Sequence, residues 1–275
     1  MDHDVRSVTD QLARLGISPS KGLGQNFLID ERVADRQVAA AGISSDDTVL
    51  EIGPGLGVLT KRLAQRAGRV IAIEMDRKLA ENLRPTLPDN VQLVVGDALE
   101  VPFPRFDRMV SNLPYSISSP IIFKLLDHDF RKAMVMLQKE FADRMVAAPD
   151  TDDYSRLTVN VYYRAECRLL EKVPRSRFWP PPKVDSAVVE LVPRPSPFSV
   201  EDEKLFFRLV DLLFQQRRKK IGTVLKMKGL MTSEQRSSVP YVDDRVEALS
   251  PEQIGELSDA VADLRTDRAD DRSSS

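Results

Sequence analysis

Histidine and cysteine are nearly missing from this chain. Its 275 residues include two histidines, His3 and His128, and one cysteine, Cys167. A single cysteine excludes an intramolecular disulfide and a cysteine-based zinc site. His3 lies at the extreme N-terminus and His128 stands between Asp127 and Asp129 in a loop-like stretch. Neither centres a Ser-His-Asp triad, and two histidines so placed build no metal centre. The chemistry therefore falls to other side chains or to a cofactor. Long apolar runs are also lacking. None reaches the ~18 residues that a membrane span needs. The start MDHDVRSVTDQL has no basic stretch leading into an apolar one, so no secretory signal is read there and a cytoplasmic location is expected.

What is present is ordinary for a folded domain. Hydrophobic residues make up 42% and charged residues 30%. A chain of this size buries about three quarters of the surface its unfolded form exposes, so it needs no covalent or metal staple. Net charge is −2, which by itself argues against a nucleic-acid partner. The average hides a gradient. From Asp243 onward, ten acidic residues stand against four arginines, a net of −6, which leaves +4 on the residues before it. The cluster Arg217-Arg218-Lys219-Lys220, followed by Lys226 and Lys228, reads either as a solvated helix face or as a phosphate-binding patch. The terminal DRADDRSSS reads as a disordered acidic tail.

Prolines mark the organisation. Pro180-Pro181-Pro182 precede a strand-like Ser186 to Val192, and Pro193, Pro195 and Pro197 form a linker. Beyond it EDEKLFFRLVDLLFQQRRKK carries Leu205, Leu209, Leu212 and Leu213 at helical spacing. Before it, short runs such as TVLEI, RVIAIE, VQLVVG, RMVSN and AMVML alternate with helical stretches. The expected fold is α/β, a mostly parallel Rossmann-like sheet, with a small all-helical C-terminal domain. The expected division is an N-terminal extension over 1–20, a main α/β domain over 21–194, a helical domain over 195–264 and a disordered tail over 265–275; the resemblance given below makes the second the catalytic domain and the third an RNA-binding one. Parallel sheets bind ligands at the carboxyl ends of their strands, so those residues carry the functional reading.

The first strand runs into Glu51-Ile-Gly53-Pro-Gly55-Leu-Gly57. Its third glycine comes one residue too early for the dinucleotide pattern, with Val58 at that place. The second strand ends at Glu74, 21 positions beyond Gly53. A carboxylate there can accept from both hydroxyls of a ribose. Met75 beside it packs either on an adenine or in the core. The third strand ends at Gly96-Asp97-Ala98. Asp97 can accept from an adenine amine and Ala98 leaves room, but Gly-Asp is also a routine turn. The fourth ends at Asn112-Leu113-Pro114-Tyr115. Methylating an aromatic amine requires both its hydrogens to be held, so that the lone pair is free to attack. The Asn112 side-chain oxygen and the Leu113 carbonyl can accept them. Pro114 restricts Leu113 to extended geometry, and Tyr115 offers a flat face to an unstacked base. Cys167, in the strand-like AECRLLEKV, has no histidine partner and reads as structural.

Together with GLGQNFL (Gly22 to Leu28), these motifs are joined in one order by LQKEFADR (Leu137 to Arg144), YSRLTV (Tyr154 to Val159) and FWPPPKVDSAVV (Phe178 to Val189). In this the chain resembles the dimethyladenosine transferases of small-subunit ribosomal RNA. The resemblance implies a class I methyltransferase fold and S-adenosylmethionine as cofactor. It implies dimethylation of two adjacent adenosines in a hairpin loop near the 3′ end of that RNA, late in subunit assembly. The partners implied are small-subunit rRNA and the immature small subunit, with no metal, no membrane and no second copy. Carried over by position, Asn26, Leu28, Gly53, Glu74, Asp97 and Asn112 contact the cofactor, with Gln25, Gly55, Met75 and Ala98 beside them. Asn112, Leu113, Pro114 and Tyr115 hold the target amine and base. Phe178 or Trp179 closes the base's other face, Phe178 being the first choice. Arg217 to Lys220 bind RNA. Gly22 and Leu23 stand where the family often has Lys and Arg, which removes a phosphate contact there. The alternatives are a large-subunit rRNA methyltransferase of the macrolide-resistance type and a non-catalytic assembly factor; the intact Asn112 to Tyr115 motif opposes the latter. A nicotinamide oxidoreductase is opposed by the early glycine.

Overall fold

Short β-branched runs closed by turn residues become strands, and capped amphipathic runs become helices. In chain order the elements are α1 (His3–Arg14), β1 (Phe27–Leu28), α2 (Glu31–Ala41), β2 (Thr48–Ile52), α3 (Val58–Ala64), β3 (Arg69–Glu74), α4 (Arg77–Leu83), β4 (Val91–Val95), β5 (Arg108–Asn112), α5 (Ser118–Leu126), β6 (Lys132–Gln138), α6 (Lys139–Met145), α7 (Arg156–Arg164), β7 (Ala165–Val173), β8 (Phe178–Trp179), β9 (Ser186–Pro193), α8 (Glu203–Phe214), α9 (Ile221–Met227) and α10 (Pro251–Ser273). The structure, a computed structural model, describes residues 3–19 and 24–273, with side chains over 8–19 and 24–264. Lys21, Gly22 and Leu23 lie outside the described residues, as do Ser274 and Ser275 of the expected tail. Among the described residues no helix is long and apolar enough to cross a membrane, and no group of His, Cys, Asp and Glu is placed to hold a metal.

The chain forms two units. The first, residues 1–142 and 166–193, contains a seven-stranded sheet of order β4-β3-β2-β5-β6-β9-β7. Strands β2 to β6 pair in parallel, and β9 runs antiparallel to β6. The chain winds outward from β2 to β4, then returns to add β5 and β6 on the other side, so the order reverses between β2 and β5. Such a reversal opens a crevice at the strands' carboxyl ends. Here a side chain takes over from the backbone pairing. β2 and β5 pair only at Val49 with Arg108 and Leu50 with Met109; beyond that, the Ile52 amide donates to Ser111 Oγ at 2.9 Å. The helices that frame it are well capped. Asp30 Oδ1 accepts from the Arg32 amide at the start of α2, and Gly42 ends that helix with φ 62°. Asp76 accepts from the Lys78 and Leu79 amides to start α4. Buried Val33, Val38, Val49, Leu63 and Val110 join in one core cluster. The expected extension over 1–20 is part of this unit: Val8, Leu12 and Ile17 pack with Phe27, Ile29 and Leu56.

The second unit takes residues 143–165 together with 194–275. The continuous span 21–194 expected from the prolines is thus corrected. No proline or glycine signals the crossing at 142, because the chain changes unit inside α6. What assigns 143–165 to the helical unit is packing: Tyr154, Val159 and Tyr163 share a core with Phe206, Leu209, Val210, Leu213 and Leu257. The Tyr163 ring lies 5.1 Å from Phe198, 5.2 Å from Phe206 and 5.3 Å from Phe207. On α8 the buried face is Leu205, Phe206, Leu209, Val210 and Leu213, with Leu212 only half-buried. α10 continues to Ser273, since between Glu256 and Ser273 there is neither glycine nor proline to stop it.

Candidate active site

The loops at the switch point enclose a cavity of about 280 Å³. Its floor is the glycine turn after β2. Gly53 and Gly55 adopt φ of 70° and 56°, the left-handed region that glycine tolerates. A Cβ on Gly53 would stand 3.3 Å from Pro114 Cδ, and one on Gly55 3.4 Å from the Phe27 ring. The missing side chains let this turn lie directly against the loop after β5 on one side and β1 on the other.

Glu74 ends β3, only 6% exposed. Its Oε2 accepts from the Gly55 amide at 3.1 Å and its Oε1 from the Asp76 amide at 2.9 Å. Burial raises its pKa above the usual carboxylate range, against the pull of those two amides. Met75 lines the cavity and is 54% exposed, so of its two readings the core one is removed. Above it, the Gln25 amide donates to Asp76 Oδ2 at 3.0 Å, and the Asn26 amide to the Gly24 carbonyl at 3.1 Å. After β4, Asp97 Oδ1 accepts from the Leu99 amide at 2.8 Å, while Asp97 and the buried Ala98 face the cavity.

The fourth wall is Asn112-Leu113-Pro114-Tyr115, all four lining the cavity. Asn112 Oδ1 is buried and has no hydrogen-bond partner. Such an orphan acceptor costs about 1–3 kcal/mol. The Tyr115 hydroxyl lies 2.6 Å from Ser186 Oγ, and burial raises its pKa. Phe178 lines the cavity, while Trp179 packs in the cluster around α1. The antiparallel pairing of β1 with β8, Leu28 with Phe178 and Phe27 with Trp179, sends alternate side chains to opposite faces. Phe178 and Trp179 therefore point apart, and Phe178 is the one that lines the cavity. The Leu28 side chain lies in a core cluster that also holds Phe178, and of the two β1 residues it is Phe27 that lines the cavity.

Two buried groups went unread in the sequence. Ser186, wholly buried, holds Tyr115; it stood in the FWPPPKVDSAVV motif, but nothing there names its contact. Glu51 is 1% exposed, with Oε2 unpartnered. Burial pushes its pKa up to about 8, and the charge of Glu74 adds to this. The folded state therefore holds a proton that the unfolded chain releases near pH 4.5. This contribution to stability is complete below that pH and is lost as pH rises through 8. From pH 6 to pH 8 the loss is about 2 kcal/mol. Urea unfolding of wild type and Glu51→Gln at both pH values should show this loss in the wild type only; parallel curves would refute a protonated Glu51. Cys167, in β7, has its thiol pushed up to about 12 by burial, as fits an inert structural cysteine.

The basic cluster lies elsewhere, in the second unit. α8 stops at Phe214, so residues 217–219 form a turn and no helix face. Arg217 is committed internally, with Nε 2.8 Å from Glu247 Oε2 and Nη1 3.0 Å from the Asp152 carbonyl. Lys220 pairs with Asp243 at 3.2 Å. Arg218 and Lys219 are exposed.

A family model described as "Ribosomal RNA adenine dimethylase" matches residues 18–263. The chain belongs to this family. Among curated relatives of this dimethylase, the "Probable ribosomal RNA small subunit methyltransferase A" of Methanosarcina acetivorans is 48% identical over 251 residues, covering 88% of this chain and 93% of the relative. The protein of the same name from Thermococcus kodakarensis is 46% identical over 257 residues, covering 90% and 91%. Among solved structures, a dimethyladenosine transferase from Plasmodium falciparum superposes with a TM-score of 0.72 at 33% identity, covering 84% of this chain and 95% of that one. The 23S rRNA methyltransferase ErmE superposes with a TM-score of 0.65 at 32% identity, covering 86% and 100%. The fold is that of the Rossmann-like methyltransferases.

Proposed function

We propose that this dimethylase modifies two adjacent adenosines in a 3′-terminal hairpin loop of small-subunit rRNA, acting on the immature small subunit. The broader activity, S-adenosylmethionine-dependent dimethylation of rRNA adenine, follows from its family. The observation that carries the amine-methylation part of the reading is Asn112 Oδ1, a buried acceptor with no partner in the cavity wall. An acceptor left this way suits a donor that arrives with the substrate. The adenine exocyclic amine brings two N–H donors, and the Leu113 carbonyl takes the second. Tyr115 and Phe178 enclose the base, the phenol being fixed by Ser186.

The cofactor residues fit as a set. Glu74 lies beside the glycine turn and faces a ribose diol. Asp97 accepts from the cofactor's adenine amine, and Met75 and Ala98 border that ring. Gln25, Asn26, Gly53 and Gly55 complete the wall. When bound, S-adenosylmethionine supplies a methyl group on a sulfonium. No lining residue needs to act as a general base, since the alkylated amine is acidic and sheds its proton to water. In the second unit, Arg218 and Lys219 are the exposed members of the basic cluster not paired with a carboxylate among the described residues, and they meet phosphates, a role for backbone rather than base recognition.

The small-subunit reading rests on relatives of 46–48% identity, above the 32% shared with ErmE. The test is transfer of labelled methyl to unmethylated small subunits and, in parallel, to large-subunit rRNA. Label on two adjacent adenosines near the small-subunit 3′ end is expected. Label only on the large-subunit RNA would move the chain to the other branch of the family. No label on either, with cofactor bound, would leave a non-catalytic assembly factor.

A further inference from the structure

One half-buried cation, Lys124, lies behind the cavity and is not among its lining residues. Lys124 is on α5, the helix that the Asn112–Tyr115 loop runs into. Its Nζ donates to three carbonyls of one short stretch, Ala98 at 2.9 Å, Leu99 at 3.1 Å and Val101 at 2.7 Å. It also lies 4.3 Å from the centre of the Phe103 ring. An ammonium has three N–H donors, so these three acceptors use them all. The carbonyls belong to the turn after β4, which presents Asp97 and Ala98 to the cavity. The same turn is closed from inside by Asp97, whose carbonyl accepts from the Glu100 amide at 3.0 Å and the Val101 amide at 2.8 Å. A turn with three carbonyls converging on one point is held by a point charge, which a planar guanidinium does not match.

We propose that Lys124 is a positioning residue for adenine recognition. From the helix that follows the catalytic loop, it fixes the turn that aims Asp97 at the cofactor's adenine amine. The inference deepens the cofactor reading given above and rests on it. It makes the two walls of the cavity, the adenine turn and the amine-holding loop, parts of one braced assembly.

The test is calorimetric binding of S-adenosylhomocysteine, and of its analogue with hydrogen in place of the adenine amine, to the full chain. Wild type should prefer the amine-bearing ligand. Lys124→Met removes the charge and keeps the length. It should weaken S-adenosylhomocysteine binding by about tenfold, the scale of one lost charged hydrogen bond, and abolish most of that preference. Lys124→Arg should recover part of both. A lysine that only supports the fold would lower Tm and leave the preference unchanged, and that result would overturn the proposal. Hydrogen exchange of ligand-free wild type gives a second reading that needs no variant. The amides of Leu99, Glu100 and Val101 should already be protected; fast exchange there would mean the turn is not preset, and would also overturn it. If wild type binds neither ligand, the cofactor reading itself fails and this inference goes with it.

Discussion

Asn112→Ala is expected to lower the rate of methyl transfer at saturating substrates by about a thousandfold or more, the scale seen when a positioned polar group is removed from a reaction centre. The same change should leave the folded protein no less stable. Asn112 Oδ1 is buried without a partner, so alanine relieves a cost of about 1 kcal/mol or more while giving up little packing beside an open cavity. A variant that is inactive and equally or more heat-resistant is the signature of a group kept for its ligand. Labelled transfer and a thermal melt on one preparation decide it. Retained activity would remove Asn112 from the reaction, and a large drop in Tm would make it a structural residue.

Glu74→Ala should act on a different constant. If its carboxylate holds a ribose diol, two charge-assisted hydrogen bonds are lost, together about 3 kcal/mol, or roughly a hundredfold in Kd for S-adenosylmethionine. The rate at saturating cofactor should fall far less, because Glu74 touches no reacting atom. Raised KM with nearly preserved kcat marks lost ground-state binding. A fall in kcat at unchanged KM would contradict the role. Some loss of kcat is expected even so, since Glu74 also anchors the Gly55 amide at 3.1 Å, and that turn abuts Pro114 through Gly53.

Much of this site was legible because strand ends are punctuated. Glycine turns, an acid after β3 and Asn-Leu-Pro-Tyr after β5 are local patterns, and β2, β3 and β5 fall where their apolar runs stood in the sequence. What stayed hidden depends on pairing across long stretches of chain. Phe178 reaches the cavity wall on a strand that pairs with β1, about 150 residues earlier, and no periodicity of either segment reports it. The partner of Tyr115 is Ser186, and the partners of Lys124 lie in a turn more than twenty residues upstream. Glu51 reads as the acid before a glycine loop until its burial is known. Arg217 reads as one of four equivalent cations until Glu247 is seen beside it.

The exchange of chain between the two units bears on how such a protein can be taken apart. The helical unit is not a cassette added after Pro193, because it borrows residues 143–165 from the middle of the sequence. Cutting at the proline linker would strip Tyr154, Val159 and Tyr163 of the Phe206 and Leu209 core they share and leave a greasy, unfinished helix inside the shortened polypeptide. The chain enters the second unit twice and the first unit twice. Neither is a portable module, and a graft that swaps the helical unit for that of a relative must carry both of its separate stretches.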